Sequence, residues 1–134
     1  MEPTEKFYQL KEENKLKANF VSQNNIFGEY MFVIVNKIDC ISCFKYHMTE
    51  LNKIGITKIY YSPDNYELVQ NHLNNCIELS QKHINTDKGI FLQENLAIAF
   101  INIRGKIIYS DVADKTNYEK SRVFYQIIYR FTKK

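Results

Sequence analysis

Cys40 and Cys43 are the residues whose type and spacing most directly point to chemistry. Separated by Ile41 and Ser42, they form a C-x-x-C pair, which can close a reversible disulfide or begin a thiolate metal site. In the redox case, a cysteine at a helix N-terminus faces unpaired backbone N–H groups and the positive end of the helix dipole, which favour thiolate over thiol. Cys40 is then the attacking sulfur. Cys43, one helical turn further in, is the shielded sulfur that resolves the mixed disulfide. In the metal case, Cys40, Cys43 and His47 follow C-x2-C-x3-H, and His72 and Cys76 lie four apart further along. Three cysteines cannot all pair within one chain, so a structural disulfide framework does not account for them.

The elements that must position this pair are legible from apolar periodicity. Tyr30 to Asn36 (YMFVIVN) is a continuous apolar run that predicts a central strand covered on both faces. Asp39 to Ile54 follows at once, with Cys43, Phe44, His47, Leu51 and Ile54 near one helical stripe and Gly55 as its stop. Thr57 to Ser62 predicts a second strand, and Pro63-Asp64 opens a helix over Asn65 to Ser80. Cys76 falls on the apolar stripe of that helix and reads as a small hydrophobe. Asn85 to Gly89 predicts an exposed loop. Leu96 to Ile103 and Lys106 to Ser110 predict an antiparallel pair about Arg104-Gly105, and Lys115 to Phe131 a closing amphipathic helix. The predicted order is β-α-β-α-β-β-α, an α/β fold with one mixed sheet flanked by helices on both faces.

Composition narrows the function classes. A chain of 134 residues fits one domain, and 45% hydrophobic with 25% charged residues is ordinary globular usage. The net charge of +3 is mild and the lysines are scattered, which gives no footprint for nucleic acid. No apolar run approaches the roughly 18 residues of a membrane span, and residues 1 to 20 are too charged for a signal peptide. Residues 1–29 read as an N-terminal extension, helical or irregular, with high helix propensity over 4–19, and residues 30–134 as the folded domain.

The strand running directly into VNKIDCISC, together with AFINIRGKIIYS near the end, resembles the thioredoxin-like superfamily, especially TlpA/ResA-type thiol-disulfide oxidoreductases of bacterial envelopes. The resemblance implies a thioredoxin-like fold, catalysis by Cys40 and Cys43 with no cofactor beyond the redox-active disulfide, and exchange with protein or peptide thiols and a redox partner protein. An envelope setting like that of the family would need a signal or lipid anchor upstream, so the location stays open. Three positions depart from the family pattern. The proline beside the active site is absent, its place falling near Leu96 or Ala97; Asp39 precedes Cys40, where a negative charge opposes thiolate formation; and Ile34 stands at the place of the family's buried acid. Lys37 offsets Asp39 if its ammonium turns toward the thiol.

The sequence therefore points to thiol–disulfide exchange through Cys40 and Cys43, with Asp39, Lys37, Leu96 and Ala97 as modulators. The alternative is a non-catalytic thioredoxin-like module that binds a partner protein. A zinc site ranks lower, because alternate crossovers on opposite faces of the sheet would keep His72 and Cys76 away from Cys40. His47 reads as a surface or half-buried helix residue, and Tyr118 as part of the core face of the last helix.

Overall fold

YMFVIV carries no charge and is rich in β-branched and aromatic residues, and it forms the central strand β1 (Tyr30–Val35), buried along its whole length. The computed structural model describes residues 28–79, 94–101 and 107–132. After β1 come α1 (Ile41–Asn52), β2 (Thr57–Tyr61), α2 (Tyr66–His72), β3 (Cys76–Glu78), β4 (Leu96–Ile101), β5 (Ile107–Val112) and α3 (Tyr118–Thr132). The sheet order is β3-β2-β1-β4-β5. Strand β1 runs parallel to β2 and antiparallel to β4, β2 is parallel to β3, and β4 is antiparallel to β5. This is a mixed α/β fold with an open five-stranded sheet, compatible with a thioredoxin-like arrangement.

Among the described residues the order has one strand more than the predicted β-α-β-α-β-β-α. The helix expected over Asn65 to Ser80 stops at His72, where Leu73 turns extended (φ −107°, ψ 125°), and Asn75 then takes a left-handed backbone (φ 52°), which asparagine tolerates better than most residues. One asparagine side chain and one backbone carbonyl fix this turn. Asn52 Oδ1 accepts the Asn74 N–H at 2.8 Å, and Asn75 O accepts the Lys58 N–H at 3.0 Å. Cys76 is consequently a strand residue opposite Lys58, and its expected place on a helical stripe is corrected.

The described helices lie on one face of the sheet. Phe44, Met48 and Leu51 of α1, Val69 of α2, and Phe124, Tyr125 and Ile128 of α3 share one core with Met31, Val33 and Val35 of β1. All three described helices thus pack on the same face. On the other face Phe32, Ile34, Ile59, Tyr61, Ala97 and Ala99 form a second buried cluster. The helix expected over residues 4–19, the 85–89 loop and the Arg104-Gly105 turn lie outside the described residues. No helix among the described residues is long and apolar enough to cross a membrane.

Candidate redox site

Cys40 is the N-cap of α1: its backbone is extended (φ −147°, ψ 100°) and its Sγ accepts the Cys43 N–H at 3.3 Å. A sulfur in this position meets one of the helix's otherwise unpaired donors, the group best placed to stabilise a thiolate. Cys40 and Cys43 are joined by a disulfide, with their Cα atoms 5.2 Å apart. The two sulfurs differ in access. Cys40 is half-buried, whereas Cys43 is 7% exposed. Between them Ile41 is 52% exposed, so an apolar side chain flanks the accessible sulfur.

A cavity of about 330 Å³ opens beside the disulfide, its apolar wall made by Val35, Ile38, Phe44, Leu96 and Val112. Its rim is charged, with Lys37, Asp39, Asp114, Lys115 and Lys120. Lys115, rather than Lys37, is the cation that meets Asp39: its Nζ lies 3.5 Å from the carboxylate, which also accepts from Asn95 Nδ2 at 3.2 Å. The charge before Cys40 is therefore partly offset from the β5–α3 connection. Leu96 lines the cavity, but Ala97, the next residue along β4, belongs to the opposite face of the sheet. No cis peptide bond occurs among the described residues. Instead Asn95 O accepts the Asn36 and Lys37 N–H groups at 2.8 and 3.2 Å, which binds the lead-in to Cys40 onto the start of β4.

Two further ionisable groups, on α1 and β5, are buried against α3. His47, expected near the surface, is 2% exposed, and its Nδ1 lies 2.6 Å from the Tyr125 hydroxyl. Burial holds the imidazole down at about 4, so it is neutral at physiological pH. Asp111 on β5 is also buried, accepting from Ser121 Oγ at 2.7 Å with Lys120 Nζ at 3.6 Å. Burial raises this carboxyl above its usual value, and Ser121 and Lys120 draw it part of the way back. Asp111 is thus a buried acid paired with a cavity-lining lysine, whereas the position read from the family, Ile34, is a fully buried core residue of β1.

Tyr118 is the neighbour of the pair that the sequence did not disclose. Its hydroxyl lies 2.8 Å from Cys43 Sγ, although the helix that carries it begins 75 residues later. The signal available was a polar aromatic stripe, Tyr118, Arg122 and Tyr125, at helical spacing on a face otherwise read as core. No family model and no curated protein matches this chain.

The metal reading places its five ligands differently. Phe44 and His72 rings meet edge-on at 5.5 Å, and Asn52 Nδ2 donates to His72 O at 2.8 Å, so α2 lies beside α1 rather than across the sheet. The geometric reason for separating His72 from Cys40 is thereby corrected. His47 is occupied by Tyr125, His72 Nδ1 lies 2.9 Å from Leu68 O, and Cys76 Sγ donates to Leu73 O at 3.2 Å. Among the described residues no three His, Cys, Asp or Glu side chains form a metal-holding group.

Proposed function

We propose that this chain is a thioredoxin-like thiol–disulfide oxidoreductase acting on protein or peptide thiols through Cys40 and Cys43. The observation that carries the proposal is the disulfide at the N-terminus of α1, with one accessible and one shielded sulfur beside an open cavity. Cys40 thiolate attacks one sulfur of a target disulfide, the target S–S bond breaks and its other sulfur leaves as a thiolate, giving a mixed disulfide; Cys43 then attacks Cys40, the remaining target sulfur leaves with the bonding electrons, and the chain is left oxidised. Reduction by a partner protein closes the cycle. The cavity wall and Ile41 give the target's segment an apolar seat, while Lys37 and Lys115 sit at its rim. No organic cofactor is required, because the two sulfurs carry both electrons.

The test is the reduction potential of the pair, measured by equilibration in defined glutathione or dithiothreitol buffers with free thiols counted by mass. A two-electron transition between roughly −120 and −270 mV is the expected result. If Cys40 and Cys43 remain thiols in every buffer, the exchange reading fails and a binding module takes its place.

A further inference from the structure

Within the exchange reading, on which this inference rests, we infer that Tyr118 is a catalytic residue whose hydroxyl serves the buried sulfur of Cys43. In the disulfide Cys43 Sγ carries no proton, so the hydroxyl at 2.8 Å must be the donor. The donor's ring is 42% exposed and is positioned by one aromatic contact and by the anchoring of its helix. The Tyr118 ring meets Tyr46 of α1 edge-on at 5.6 Å, and Ser121, one turn further along α3, is tied to Asp111 at 2.7 Å. A hydroxyl fixed in this way need not be reoriented when charge appears on the sulfur.

Charge appears there in both directions of exchange. When a target is reduced, Cys43 thiolate gives its electron pair to Cys40 Sγ, the bond from Cys40 to the target sulfur breaks, and the target leaves as a thiolate that takes a proton from water. When the chain itself is reduced, an incoming thiolate bonds to Cys40 Sγ, the Cys40–Cys43 bond breaks, and Cys43 leaves carrying the pair. Cys43 is a thiolate in each step. Burial alone would disfavour that form, and a hydrogen bond to the charged sulfur opposes the burial penalty. Cys40 already has the helix N–H for this purpose, while Tyr118 supplies the donor for Cys43.

The test follows the two sulfurs separately, in a Cys76→Ala background so that only Cys40 and Cys43 report. Reduced protein is mixed with the aromatic disulfide dithiobis(nitrobenzoate). The first coloured thiolate is released when Cys40 forms the mixed disulfide, and the second when Cys43 resolves it. Tyr118→Phe keeps the ring and removes the donor. The expected result is an unchanged first phase and a second phase slowed about three- to tenfold at pH 7, its pH midpoint moved up by about one to two pH units. At high pH the variant's second phase is no slower than that of the parent, since a more basic thiolate is the better nucleophile once formed. An unchanged second phase overturns the assignment, and so does equal slowing of both phases at every pH, which is the mark of a structural role. Absence of the second release from the parent protein itself defeats the exchange reading, and the role of Tyr118 falls with it; failure of the Tyr118 assignment alone shows only in the variant.

Discussion

Cys43 is buried and Cys76 half-buried, and the hydrogen bonds at the two sulfurs run in opposite directions. Cys43 receives a hydrogen bond from Tyr118 and sits in the first turn of a twelve-residue helix. Cys76 instead donates its own proton to Leu73 O, on a short edge strand where burial pushes the thiol up and Lys58 pulls it only part of the way back. Each has a buried base nearby, and burial drives both bases toward their neutral forms, His47 on α1 and Lys58 on β2. Burial by itself therefore does not decide what a cysteine is for. The direction of the surrounding hydrogen bonds does: donors aimed at sulfur prepare a thiolate, and an acceptor aimed at S–H keeps a thiol.

The comparison can be broken most severely at Cys40. Cys40→Ser is expected to abolish turnover in an insulin-reduction assay, while Cys43→Ser retains attack and accumulates mixed disulfides visible by mass; full activity in Cys40→Ser would remove the distinction between the two sites. Acid provides the next largest effect. His47 has a folded value of about 4 against about 6.5 unfolded, so between these pH values the unfolded chain binds a proton that the native chain does not. This contribution, about 3 kcal/mol as an upper figure, is fully present above pH ~6.5 and lost as the pH falls toward 4. Denaturant titrations of wild type and His47→Gln should show a flatter acid limb for the variant. Asp111 acts in the opposite sense and is retained in both proteins, so the difference isolates His47.

Two smaller effects sharpen the other half of the comparison. Lys58→Met should slow iodoacetamide alkylation of Cys76 about two- to fivefold near neutral pH, because the nearby ammonium favours its thiolate. Faster alkylation would mean that the lysine shields the sulfur rather than activating it. Cys76→Ala should leave the exchange rate unchanged and cost about 1 kcal/mol or less in urea, as expected for a partly buried small side chain. A large loss of activity would make Cys76 a third member of the redox site.

Much of this arrangement was legible because apolar pattern and element agree. The run at 30–36 is β1 almost to the residue, and the C-x-x-C pair does sit where a strand hands over to a helix. The failures arose where local pattern was ambiguous or contacts were distant. Leu68, Val69, His72 and Leu73 read as helix, and continuation through Cys76 and Leu79 fitted the same period; the break came from Asn75 and from side chains of α1, outside any local window. Lys58 was hidden for a related reason. Its charge argued for the surface, yet it is 1% exposed because its amine donates to Ile54 O. The hydroxyl beside Cys43 comes from 75 residues away, so only the packing of α3 on α1 could reveal it. Likewise the cation for Asp39 was sought in its near neighbour Lys37 and found at Lys115.

The Cys40–Cys43 bond also has a consequence for the mechanics of the chain. Its partners are only three positions apart, so the ring it closes restricts very little of the unfolded ensemble. Chain-entropy reasoning assigns such a small ring about 2 kcal/mol, against about 5 for a loop of a hundred residues. The sheet and its two apolar clusters, not the sulfur bridge, hold the molecule together. Opening the bridge is thus a local event at a helix tip, so the proposed exchange cycle would leave the fold intact from one turnover to the next.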